Sequence, residues 1–285
     1  MQGTTVRRVG LVLAVATALT GVAACTSRDS SGGPGRDDRA PRGRTLAALR
    51  SAERATEDAE SARVESTTTM GSLMSMTADG TLGWNDGITG TLTITYTGGT
   101  VADTMRRLGT TSMEARYLPE AYYARMGEKF AEQAGGKHWI RYAYDDLEAL
   151  AGGSGGHLGD RMRSTTPNQS VKLLLSSGDV RKVGEETVRG RPATHWSGTV
   201  TASDIADAGL RKQLTEAGVT TETVDIWVDE RNLLVKKVEK ARMATGLMTQ
   251  TAHYADYGAQ VRAERPPRSD TGDFEDLMRK QTGRP

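Results

Sequence analysis

Gly90-Thr91-Leu92-Thr93-Ile94-Thr95-Tyr96 alternates apolar and hydroxyl side chains without a break. Successive residues of a strand point to opposite faces, so Leu92, Ile94 and Tyr96 share one face and the three threonines the other. That pattern belongs to a half-buried antiparallel sheet, because a parallel sheet covered on both sides reads as a continuous apolar run. Farther along, the same period returns in Thr223-Val224-Asp225-Ile226-Trp227-Val228-Asp229, with Val224, Ile226 and Val228 on one face. Trp227 opposes that face, which predicts that it packs against a helix or the second side of the sheet.

Between and around these segments, Ala78-Asp79-Gly80, Asn85-Asp86-Gly87, Arg189-Gly190-Arg191-Pro192, Glu230-Arg231-Asn232 and Thr245-Gly246 supply hairpin turn chemistry. Strands are expected near 62–76, 80–84, 90–97, 111–118, 121–127, 138–143, 179–188, 193–201, 222–229, 233–243 and 247–257. A leading amphipathic helix over Thr45 to Ala62 follows from Leu46, Leu49, Ala52, Ala55, Ala59 and Ala62 at spacings of three and four. Three further helices are expected at Asp145 to Ala151, Asn168 to Ser177 and Ser203 to Ala217, the last starting on a cap at Ser203 or Asp204 and stopping at Gly218. The class is therefore α+β: an antiparallel sheet whose apolar face must be covered by a few short helices. Either the sheet closes over a modest core or it leaves an apolar hollow, and periodicity alone does not choose.

Composition bounds the function. The 285 residues are 36% hydrophobic with two phenylalanines, so Leu, Val, Ala, Met and a few Trp and Tyr must build the interior. No apolar run approaches the roughly 20 residues of a spanning helix. With 37 basic and 36 acidic residues, no global basic field exists for nucleic acid. One cysteine rules out a disulfide framework and a CxxC site.

That cysteine sits at an informative place. Arg7 and Arg8 precede an apolar run from Val9 to Thr20, and Gly21-Val22-Ala23-Ala24 are small residues before Cys25. This is the layout of a secretory signal. Val22-Ala23-Ala24-Cys25 resembles the bacterial lipobox, which implies cleavage after residue 24 and a diacylglyceryl group on Cys25. Two buried acyl chains hold a protein at a membrane where one would let go. The poor fit of Val9-Gly10-Leu11 after the arginine pair favours the general export route over the twin-arginine one. The expected organisation is a signal over 1–24, the lipidated cysteine and a polar, disordered tether over 25–44, a domain over 45–265 and a polar tail over 266–285. A flexible tether of that composition places the domain on the order of 25 Å from the lipid surface. In the tail, Phe274, Leu277 and Met278 make one weak amphipathic set, read as a frayed end rather than a docking helix.

Val183-Gly184-Glu185-Glu186-Thr187-Val188-Arg189-Gly190, followed by Ala193-Thr194-His195-Trp196-Ser197-Gly198-Thr199-Val200 and later by Val224 to Asp229, is similar to bacterial lipoproteins of the LolA/LppX/LprG-type fold. The likeness runs loosely from Thr45 to Arg265. It implies a curved, open half-barrel sheet wrapped around the leading helix and the short inserted ones, enclosing a hydrophobic cavity for acyl chains. It also implies carriage of lipids or lipoproteins outside the inner membrane. It transfers no catalytic residue.

The remaining motifs have ordinary explanations. Gly152-Gly153-Ser154-Gly155-Gly156 formally matches the G-x-S-x-G elbow but lacks the preceding strand, so a loop, able to gate a cavity mouth, is the better reading. His138, His157, His195 and His253 are not spaced as metal ligands, and the carboxylate pairs Asp145-Asp146 and Glu185-Glu186 need not converge. Asn168-Gln169-Ser170 matches a glycosylation acceptor by chance. Met70, Leu73, Met74 and Met76 crowd the first strand, either as core filler or as an adaptable apolar lining. No catalytic, metal or cofactor role is assigned. The expected function is a lipid-anchored protein on the extracytoplasmic face of the cell membrane that binds an amphiphile without bond chemistry. Met74, Met76, Leu92, Ile94, Tyr96, Val224, Ile226 and Val228 are the expected cavity lining. The alternative is an envelope protein-interaction or regulatory lipoprotein with a packed, ligand-free sheet.

Overall fold

The computed structural model describes residues 39–145, 166–216, 218–243 and 246–282. The expected signal and lipobox, most of the tether, and the glycine-rich loop with Ser154 and His157 lie outside the described residues, as does all but Asp145 of the first inserted helix.

The chain opens with helix α1 (Arg39–Asp58). Strands β1 (Ser61–Met70), β2 (Met74–Gly83) and β3 (Thr89–Gly98) follow as a meander. After helix α2 (Gly99–Arg107) come β4 (Ser112–Leu118), β5 (Ala121–Arg125), the short helix α3 (Glu128–Gln133) and β6 (Trp139–Ala143). Helix α4 (Asn168–Ser176) leads into β7 (Arg181–Val188) and β8 (Arg191–Val200). Helix α5 (Ala208–Glu216) precedes β9 (Val219–Asp229), β10 (Leu234–Met243) and β11 (Gly246–Ala255). Strand β12 (Thr271–Asp273) and helix α6 (Phe274–Thr282) end the described chain.

Among the described residues these strands form one open, twelve-stranded sheet in the order β12-β6-β5-β4-β3-β2-β1-β11-β10-β9-β8-β7. Neighbours are antiparallel except for β12 on β6. Two local meanders, β1 to β6 and β7 to β11, are joined where β1 pairs with β11 from Arg63↔Ala255 to Met70↔Met248.

One face of the sheet is polar and stays in water. Arg63 of β1 bridges Asp79 of the neighbouring β2 at 3.0 Å, and Arg189, just after β7, bridges Glu65 of β1 at 2.7 Å. The other face carries the helices. Leu49, Ala52 and Thr56 of α1 and Val171, Ser170 and Leu174 of α4 are buried against Val64, Val200, Val224, Ile226 and Leu234 of the sheet. A second apolar cluster joins Leu92, Ile94, Met113, Ala115, Tyr122 and Ala124 to Met105 of α2.

Several expectations are corrected. The residues expected as one strand over 62–76 turn at Gly71-Ser72-Leu73, and the expected turn Ala78-Asp79-Gly80 lies inside β2. Gly80 is there for a different reason: with φ of 158°, a Cβ on it would stand 2.1 Å from the Thr91 carbonyl oxygen. Gly90 repeats the constraint against Thr81, also at 2.1 Å, so two glycines permit a close backbone approach between β2 and β3. Helix α1 starts at Arg39, inside the expected tether, and stops at Asp58 because Ser61 onward pairs in the sheet. Helices α2 and α3 were not expected, and the helix expected over Ser203 to Ala217 is a 3-10 turn at Ala202–Asp204 followed by α5.

The expected frayed tail is instead an edge strand and a helix. His138 Nδ1 lies 2.7 Å from Asp270 and Nε2 3.0 Å from Glu128, and Arg141 bonds Asp273 at 2.7 Å, which fixes β12 beside β6. Phe274 then stacks near Tyr142 at a centroid distance of 4.7 Å. Of the two partners expected for Trp227, it takes the second side of the sheet. It packs with Val188, Ala193 and Val235, stacks on His195 at 4.1 Å, and carries Lys236 Nζ 3.9 Å above its ring.

Candidate functional site

Where the two apolar clusters meet, the sheet leaves a cavity of about 210 Å³. Strands β1, β2, β3 and β4 supply Val64, Met76, Ala78, Leu82, Leu92, Ile94 and Tyr117. Trp84 and Ile88, from the β2–β3 connection, close one end, with the indole N–H of Trp84 donating to the Glu57 carbonyl at 3.1 Å. This wall follows directly from the period-two alternation: the even-numbered residues of β1, β2 and β3 face inward together.

The opposite wall, on β1, β11 and β10, is mixed. Ser66, Thr68, Gln250 and Lys237 present polar groups there beside Ala252 and Tyr254. Gln250 Nε2 donates to Thr68 Oγ1 at 3.3 Å. Lys237, only 6% exposed, is bound to Glu239 at 2.8 Å, and Ser170 Oγ of α4 donates to the other oxygen of Glu239 at 2.5 Å. Burial by itself would lower the Lys237 pKa, but Glu239, with Tyr254 and Glu222, outweighs it and holds the ammonium charged. Burial, and next the charge of Glu239, pushes the Glu222 carboxyl up to about 7. A buried charge pair survives only when paired and hydrogen-bonded, which Glu239 achieves through Lys237 and Ser170.

Of the residues expected to line a cavity, Met76, Leu92 and Ile94 do so. Tyr96 packs beside the second apolar cluster, and Met74 lies two residues beyond Met76 toward the β1–β2 turn. Val224, Ile226 and Val228 are buried in the first cluster, where α4 covers β9, so the helix fills the space expected to be hollow. Lys237, Gln250, Thr68 and Tyr254 were not expected. The signal was hidden because the inward positions 237, 239 and 241 of β10 are Lys, Glu and Ala, which no apolar alternation reveals. His195, expected to be solvent-facing or satisfied, bonds Glu186 at 2.8 Å and Asp225 at 3.0 Å on the polar face. Cys25 and the lipobox Val22-Ala23-Ala24 lie outside the described residues.

No family model matches this chain. A Streptomyces coelicolor protein, SCO4650, named as a candidate lipoprotein, is 56% identical over 299 aligned residues that cover 99% of each chain. A 31.2 kDa Streptomyces griseus protein from the rplA–rplJ intergenic region is 50% identical over 82% of this chain and 80% of its own. Among solved structures, the lipoprotein LppX of Mycobacterium tuberculosis superposes with a TM-score of 0.50 at 15% identity, covering 78% of this chain and 99% of LppX. LprF of Mycobacterium bovis gives a TM-score of 0.50 at 14% identity, covering 79% and 98%.

Proposed function

The chain belongs to the Streptomyces lipoprotein family represented by SCO4650 and has the LppX/LprF fold, and from that premise we propose that it binds one acyl segment of an amphiphile in the sheet cavity. The observation that carries this reading is the pairing of two unlike walls around one void: Leu82, Leu92 and Ile94 on one side, Lys237, Gln250 and Thr68 on the other. An apolar void of about 150 Å³ already accepts a small hydrocarbon, whereas drug-sized ligands fill roughly 300–1,000 Å³. At about 210 Å³ the site suits part of a single chain, with the polar end of the molecule held by the β10–β11 wall. Each methylene moved from water into it contributes about 0.8 kcal/mol.

In this reading Cys25 carries the diacylglyceryl anchor after cleavage behind Ala24, and the protein rides on the extracytoplasmic face of the cell membrane. The domain then carries or presents its ligand without breaking or making a bond. Native mass spectrometry of the domain cut free in the tether tests the proposal. One amphiphile adduct is expected, and it should disappear in an Ala252→Phe variant whose ring occupies the cavity. No adduct, together with no uptake of a labelled fatty acid, defeats the reading.

A further inference from the structure

Two of the three large apolar side chains standing in solvent among the described residues lie at one end of the sheet. Leu73, in the β1–β2 turn, is 47% exposed and Leu247, at the β10–β11 turn, is 53% exposed. The turns are tied together by the Gly71 N–H donating to the Leu247 carbonyl at 3.2 Å. Behind them runs a row of methionines across three strands, since Met70 pairs with Met248 on one side and with Met74 on the other. Each lies two residues beyond a cavity-lining residue, Thr68, Gln250 and Met76 respectively, and therefore on the same face. The cavity wall thus continues as flexible apolar side chains to the exposed end of the sheet.

We propose that this end of the sheet, at Leu73 and Leu247, is a docking edge for an anionic lipid bilayer and that the Met248–Met70–Met74 row is the passage between bilayer and cavity. The functional half of this statement rests on the cavity reading above; the docking half does not. Arg242 is exposed and stands opposite Leu247 in the β10–β11 register, so a cation flanks the apolar tip where lipid phosphates would lie. The apolar patch is a few side chains at the end of the sheet, and an interfacial anchor needs only a few apolar groups beside cations. Methionine adapts to irregular apolar neighbours, as a passage for mobile chains requires.

The test uses the mature chain with its anchor in vesicles of phosphatidylglycerol and phosphatidylcholine. Ser72→Cys places a nitroxide label between the turns and Thr93→Cys places one on the polar face, both at exposed positions. The unsubstituted chain, labelled in parallel, sets any background from Cys25, the single cysteine. The label at 72 is expected to collide with oxygen in lipid and be shielded from a water-soluble nickel chelate, and the label at 93 to show the reverse. Adding Leu73→Asp and Leu247→Asp should move the label at 72 into water. Equal access of the chelate to both positions would overturn the proposal. Mass spectrometry of the cavity content separates the two readings: an immersed label with an empty cavity leaves the docking edge standing and defeats carriage, while a wet label with a loaded cavity defeats docking alone.

Discussion

Glu222 should make the stability of this protein fall as pH rises. Its carboxyl is 4% exposed on β9, near Glu239 and Lys237, and its pKa stands at about 7 against an ordinary 4.5. Below about pH 4.5 the folded and unfolded chains both hold the proton, and burial of the neutral acid carries no ionisation penalty. Between the two values the unfolded chain releases its proton while the folded chain keeps it, so stability declines. Above about 7 the full difference applies, and at about 1.36 kcal/mol per pH unit it amounts to roughly 3 kcal/mol. Glu222→Gln keeps the shape and removes the titration. Urea unfolding should show the variant about equal to the parent at pH 4 and roughly 3 kcal/mol more stable at pH 8.5, with unchanged slope. A gain of the same size at both pH values, or a loss at pH 8.5, would refute the argument that desolvation and Glu239 set the ionisation of this group.

Leu49→Ala opens a void where α1 meets the sheet and should lower stability by about 2–5 kcal/mol in the same assay. Gly80→Ala should cost more than about 2 kcal/mol, because its methyl would collide with the Thr91 carbonyl in a conformation that suits glycine. Gly184→Ala, which meets nothing within 4 Å, should stay within about 0.5 kcal/mol. Hydrogen bonds donated to Glu128 and then to Asp270 raise the pKa of His138 above 6.5. Its charged form therefore holds the β12 edge at low pH and releases it as pH rises through that raised value. Hydrogen exchange at Thr271 to Asp273, corrected for intrinsic rates, should speed up in that direction in the parent and be fast at every pH in His138→Gln.

Alternation made β3 and β9 legible, and turn chemistry marked the β2–β3, β7–β8 and β9–β10 connections. The same rule misplaced the β1–β2 turn, because Ala78-Asp79-Gly80 looks like a turn and the need for glycine at 80 comes from the backbone of β3, which is remote in sequence. The two short helices α2 and α3 escaped because Gly98 and Gly127 precede short segments with few apolar positions, and their burial depends on the sheet beneath them. Of the site, the apolar wall of Met76, Leu92 and Ile94 could be read from periodicity. The mixed wall could not, since Lys237 and Glu239 resemble a solvated strand until Ser170 of α4 is brought over them. The tail is illegible for a related reason: Asp270 and Asp273 acquire meaning only beside His138 and Arg141, both 132 residues earlier.

The junction of β1 with β11 ties the order of synthesis to the birth of the cavity. Gln250 reaches Thr68 across 182 residues of chain, so the apolar wall is synthesised early and the β10–β11 part of the mixed wall late. Each meander can zip locally as it appears, but their union must await the C-terminal half, and pairings this distant in sequence form slowly. A truncated or stalled chain would therefore display the whole unpaired margin of β1, a template for adhesion to other strands.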